Sequence, residues 1–174
     1  MAILSQQILE TFDRNGTDKG SPHGYSDIYA AIPSDITSLL EIGVWEGASL
    51  KSWLEIFPQA HIHGIDLRLA NISNPRITQI HSDICDLDVV NYPKWDVIID
   101  DGSHIVSDVL LAWDKLRHRW NKAYIIEDVL NPDPITNYIA KTIKADNIKG
   151  CWSIEVINTG VKNPDDRVIR ISKV

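Results

Sequence analysis

Two periodicities of apolar residues alternate along the chain. Residues 3–14 set Leu4, Ile8, Leu9 and Phe12 on one face of a predicted helix, which Asn15-Gly16, a pair suited to a left-handed C-terminus, brings to an end. Residues 39–50, LLEIGVWEGASL, then form the unit around which the rest is arranged: an apolar run, a glycine corner, and a helix start. From there Leu50, Trp53, Leu54 and Phe57 recur at helical spacing. Further apolar runs at 61–67, 76–81, 95–101 and 123–129 predict strands, with helices over 107–120 and 134–148. Two closing runs, 151–158 and 167–172, read as a hairpin.

Strands alternating with helices imply a Rossmann-like α/β fold. The expected sheet is mostly parallel, has an antiparallel C-terminal strand, and carries helices on both faces. Between Asp66 and Arg76, and nearly so between Asp83 and Lys94, the connection is too short for a full crossover helix, so one turn or none is expected. No linker or repeat divides the chain. A single domain over 1–174 is predicted, with 1–37 an N-terminal helix and loop and 38–174 the α/β core.

The chemistry gathers where strands are expected to end. Gly43 and Gly47 let backbone approach a ligand, and Asp66, at the tip of the next strand, suits the hydroxyls of a ribose. The spacing is wrong for the pyrophosphate of a dinucleotide. Glu41, just before the first glycine, would repel phosphate and attract an ammonium group, so a nucleoside with an amino-acid end fits better. Two further strands end in Asp100-Asp101-Gly102-Ser103-His104 and in Glu127-Asp128. Four carboxylates converging at neighbouring tips would repel one another, at about 4 kcal/mol per close contact, unless a divalent cation such as Mg²⁺ or Mn²⁺ offset them. Asp100 could instead only hold a turn. His104, beside that ion, could take a proton from a hydroxyl.

Other features narrow the reading. A net charge of −7 argues against nucleic acid as the main partner. The first residues lack a signal-peptide pattern and no long apolar window occurs, so no membrane partner and a cytoplasmic location are expected. Cys85 and Cys151 read as small buried residues. The stretch 16–25, GTDKGSPHGY, is too polar for core and reads equally as a solvated or a ligand-facing loop, in which Lys19 could meet a carboxylate. The preceding helix is expected to cover the entrance. Trp45 could cover a nucleoside, whereas Trp53, Trp113 and Trp120 at helical spacing, and Trp95 and Trp152 at strand starts, read as packing.

Taken in order, GTDKG, HGY, LLEIGVWEGASL, HGIDL, RITQIHSD, WDVIIDDGSH and IIEDV resemble class I S-adenosylmethionine-dependent methyltransferases, specifically the Mg²⁺-dependent macrolide sugar O-methyltransferases of mycinamicin and macrocin type. DDGSH with the later ED pair is the most distinctive part. The resemblance implies that Asp101, Glu127 and Asp128 bind the metal and that His104, with Asp101, is catalytic. It also implies cofactor contacts from Thr17, Lys19, Glu41, Gly43, Val44, Gly47, Ser49, Asp66, Leu67, Asp83, Ile84 and Asp100. Where the family often has Gly-Asp-Gln, this chain has Ser82-Asp83-Ile84. Few residues remain for a substrate lid, so the acceptor pocket is expected to be open, small, or completed by a second copy in a homo-oligomer. The implied function is metal-assisted O-methylation of a sugar or small polyol-like acceptor. The alternative is a noncatalytic nucleoside-binding or partner module with the same fold.

Overall fold

A computed structural model describes residues 5–146, 152–160 and 164–173; Leu4, Ile148 and Cys151, named above, lie outside them. Seven strands form one sheet: β1 (Ser38–Ile42), β2 (His61–Asp66), β3 (Ile77–His81), β4 (Trp95–Asp100), β5 (Trp120–Ile126), β6 (Trp152–Asn158) and β7 (Arg167–Lys173). Their order is β3-β2-β1-β4-β5-β7-β6. The first five run parallel, and β7 lies antiparallel between β5 and β6. Strand order reverses between β1 and β4, and such a switch point opens a crevice at the carboxyl ends.

Among the described residues five helices cover the sheet: α1 (Ser5–Asn15), α2 (Ser26–Ala30), α3 (Ala48–Ile56), α4 (Val106–Leu116) and α5 (Pro132–Ala145). Because successive strand residues face opposite ways, Leu39, Val97 and Ile99 pack with Phe12, Tyr29, Leu50 and Trp53 on one side. Leu40, Ile98, Tyr124 and Ile169 pack with Val109, Trp113, Ile135 and Ile139 on the other. Two buried faces explain why these strands read as nearly continuous apolar runs.

Several expectations change. The helix after β4 stops at Leu116, and Trp120 opens β5 with its backbone in register with Trp95, so it is a buried strand residue rather than a helical one. Helix α1, expected over the entrance, lines no part of the crevice at the strand tips and packs on α3: Ile8 and Phe12 are buried, and Phe12 meets Trp53 edge-on at 5.3 Å between ring centroids. Helix α2, within a stretch that gave no helical signal, buries Ile28 and Tyr29. Cys85 is exposed rather than buried. The short connections behave as expected, with no helix between β2 and β3 and a single 3₁₀ turn, Val89–Asn91, before β4. Among the described residues no helix is long and apolar enough to cross a membrane.

At the end of the sheet away from the crevice, Asp96 Oδ2 accepts hydrogen bonds from the Thr37 amide (2.7 Å) and hydroxyl (3.0 Å). Burial raises its pKa, but these donors, with Asn121 and Lys122, outweigh that and bring it below the ordinary value. A depressed folded-state pKa gives stability that is present above the unfolded value of about 3.9 and is lost as pH falls through the folded one. Asp96→Asn is therefore expected to cost about 1 kcal/mol at pH 7, allowing for solvent screening. The gap between the two urea midpoints should close below about pH 4. A gap independent of pH would show that the charge is not what Thr37 recognises.

Candidate active site

Four strands end level with one another. The amide of Gly43 donates to Ile65 O, Asp101 to Ile42 O and Glu127 to Asp100 O, at 2.9, 2.9 and 3.0 Å, so β1, β2, β4 and β5 deliver their tips to one plane. Just beyond the strands, three non-glycine residues take the left-handed conformation: Trp45 (φ 52°), His104 (φ 58°) and Asp128 (φ 51°). Such backbone is costly for a residue with a Cβ, and it turns these side chains toward or around the crevice.

The crevice has a volume of about 840 Å³ and an apolar floor that includes Ile42, Ile65 and Val109. At its β2 end, Asp66 Oδ2 accepts from the amides of Val44 (2.7 Å) and Trp45 (2.9 Å), while Oδ1 accepts from Arg68 (2.9 Å). Burial works to raise the Asp66 pKa, but the amides together lower it, so a fixed carboxylate stands at this rim. Trp45 stands at the rim of the crevice and is 82% exposed.

At the β4 and β5 end, Asp101, His104 and Asp128 offer ligand atoms all within 4.8 Å of one another. His104 Nε2 lies 3.9 Å from Asp101 Oδ1 and 3.8 Å from Asp128 Oδ2, beyond hydrogen-bond length from either. Glu127 is buried and turned toward the N-terminal segment: Tyr29 donates to its Oε1, and the Lys19 ammonium to its Oε2 at 2.6 Å. Lys19 also donates to Asp101 Oδ2 and stands 3.6 Å from Glu41 Oε1. Burial alone would push the Lys19 pKa down, but Asp101, Glu127 and Glu41 overcome it and keep the ammonium charged. Burial raises the pKa of both Asp101 and Glu127, against the pull of Lys19.

Of the residues named from the sequence, Thr17, Lys19, Gly43, Val44, Ser49, Asp66, Leu67, Asp83, Ile84 and Asp100 line the crevice, as do Asp101, His104 and Asp128. Glu41, Gly47 and Glu127 do not, and Glu127, expected as a metal ligand, lies outside the Asp101–His104–Asp128 group. Glu41 lies wholly buried under the corner, bonded by the Ser49 hydroxyl at 2.7 Å, with burial pushing its pKa up to about 7 against Lys19. Gly47 instead caps α3 in the left-handed region. Asp100 is buried, its pKa pushed up to about 7 by burial, and its Oδ2 has no hydrogen-bond partner among the described residues. Sequence reasoning missed Tyr25, which donates to Asp128, and the His23–Asp166 pair, 2.6 Å apart, that ties the same segment to the turn before β7. The density of Lys, His and Tyr in that stretch was the available signal.

The carboxylates of Asp101 and Asp128 would suit a hard divalent cation, Mg²⁺ or Mn²⁺, whereas the His104 imidazole beside them is a donor that such ions seldom take. The crevice volume, its apolar walls and the unpartnered Asp100 oxygen fit a small polar ligand with a cationic group.

No family model matches the chain. Mycinamicin VI 2''-O-methyltransferase of Micromonospora griseorubida is 34% identical over 106 residues, covering 52% of this chain and 27% of that enzyme. The 8-demethyl-8-alpha-L-rhamnosyl tetracenomycin-C 2'-O-methyltransferase of Streptomyces olivaceus is 30% identical over 139 residues, covering 67% and 36%. The MycE methyltransferase, solved with Mg, SAH and mycinamycin VI, superposes with a TM-score of 0.77 at 22% identity, over 95% of this chain and 53% of that one. The chain thus matches about a third of the length of these curated relatives and half of that structure. It has the class I methyltransferase fold, and its sequence resembles the macrolide sugar O-methyltransferases.

Proposed function

We propose that the chain is an S-adenosylmethionine-dependent, divalent-metal-assisted O-methyltransferase acting on a hydroxyl of a sugar or small polyol-like acceptor in the cytoplasm. The observation that carries this reading is one crevice with two chemistries. A fixed carboxylate, Asp66, stands at one end and the Asp101–His104–Asp128 group at the other, in a chain whose relatives methylate sugar hydroxyls.

Asp66 would hold the ribose, and the free Asp100 oxygen would face the methionine ammonium. Gly43, Val44, Ser49, Leu67, Asp83, Ile84 and the Thr17–Lys19 loop would line the remainder. Asp101, Glu127 and Asp128 would hold the cation, which supplies positive charge that lowers the pKa of a nearby hydroxyl. His104 Nε2, unencumbered by any hydrogen bond, would then take the hydroxyl proton as the oxygen attacks the sulfonium methyl in line. A second cavity of about 140 Å³ adjoins His104 and Asp128 and is walled by Val106, Val129, Leu130 and Ile135; it offers the acceptor a small apolar seat.

Calorimetric titration of S-adenosylmethionine into metal-stripped protein, repeated with Mg²⁺ and with NAD, tests the reading. Binding of S-adenosylmethionine but not NAD is expected in the micromolar range, about −8 kcal/mol. No heat under any condition would leave only a noncatalytic module with this fold.

A further inference from the structure

Lys19 is 1% exposed, which is rare for a lysine and requires compensation by buried acids. It comes from the loop after α1, yet it ends among three carboxylates carried by three different strand tips: Glu41, Asp101 and Glu127. Two of these acids are among the three assigned above to a divalent cation, and each already gives one carboxylate oxygen, Asp101 Oδ2 and Glu127 Oε2, to the ammonium. Tyr25 and Tyr29 add hydroxyls to Asp128 and Glu127 from the same segment.

We propose that Lys19 is a built-in counterion of the metal centre: its ammonium holds Asp101 and Glu127 together in the metal-free protein and competes with the divalent cation for them. Lys19 thus acts on the acids as a positioning residue, and this assignment rests on the metal reading above. Without it, neighbouring carboxylates in a poorly solvated site repel one another until an ion enters. With it, the site keeps its shape when empty and binds metal less tightly. A purely structural lysine would have a different signature, since its loss would disorder the site and weaken metal binding.

Calorimetry with MgCl₂ on EDTA-stripped protein, paired with melting curves in EDTA and in Mg²⁺, separates the two. Lys19→Met is expected to bind Mg²⁺ at least about tenfold more tightly than the wild type (about 1.4 kcal/mol). It should also melt lower in EDTA and recover more of its stability on adding Mg²⁺. Lys19→Arg, which keeps the charge, is expected to return the affinity toward the wild-type value. Equal or weaker binding by folded Lys19→Met overturns the proposal while leaving the metal reading intact. No heat from the wild type or the variant removes both. If Lys19→Met does not fold in EDTA, rescue by Mg²⁺ or by the second change Glu127→Gln supports the proposal, and failure of both rescues overturns it.

Discussion

Replacing His104 with alanine is expected to cut methyl transfer to a sugar acceptor by about 10²-fold or more, the usual contribution of a positioned general base. Affinity for S-adenosylmethionine should stay within about twofold, because the fixed carboxylate proposed for the ribose lies at the β2 end of the crevice. The separation matters, since a merely disordered site would lose binding and rate together. Alanine keeps a Cβ at this left-handed corner (φ 58°), so unlike glycine it does not relax the backbone while removing the imidazole. A turnover rate within severalfold of the wild type, measured with saturating cofactor and Mg²⁺, would remove His104 from the role of base.

The second large effect is expected at Gly43. A Cβ there would stand 2.0 Å from the carbonyl oxygen of Asp101, 2.7 Å from its carbonyl carbon and 3.0 Å from Gly102 Cα. All three are backbone atoms of the tip that carries the acids, so no flexible side chain can yield, and φ of +83° adds strain. Gly43→Ala should therefore cost about 3 kcal/mol or more in chemical unfolding. It should also weaken S-adenosylmethionine and Mg²⁺ binding together by pushing the β4 tip away. At Gly16, also left-handed, a Cβ would meet nothing within 4 Å, and the same substitution should cost only about 1 kcal/mol. Comparable losses at both positions would mean that close approach contributes nothing at Gly43.

The strands and their acidic tips were legible because each parallel strand is buried on both sides and then stops abruptly at charged residues, as WDVIID and YIIED do. The boundary between α4 and β5 was not. Trp113 and Trp120 are about two helical turns apart, but only tertiary pairing with Trp95 decides that the second belongs to a strand. The N-terminal loop was least legible. Its polarity suited a solvated and a ligand-facing loop equally, and although Lys19 was read as able to meet a carboxylate, nothing local says which, because its partners lie 82 residues away at Asp101 and 108 at Glu127. Trp45, read from the glycine corner as a possible cover for a nucleoside, stands at the crevice rim and is 82% exposed.

The left-handed backbone at Trp45, His104 and Asp128 sets stability and chemistry against each other. Glycine would relax each corner at little conformational cost, so a search for heat-resistant variants scored on melting alone would drift toward glycine at all three positions. It would enrich well-folded proteins without the imidazole or the Asp128 carboxylate. Directed evolution of this scaffold therefore needs turnover in the selection from the first round.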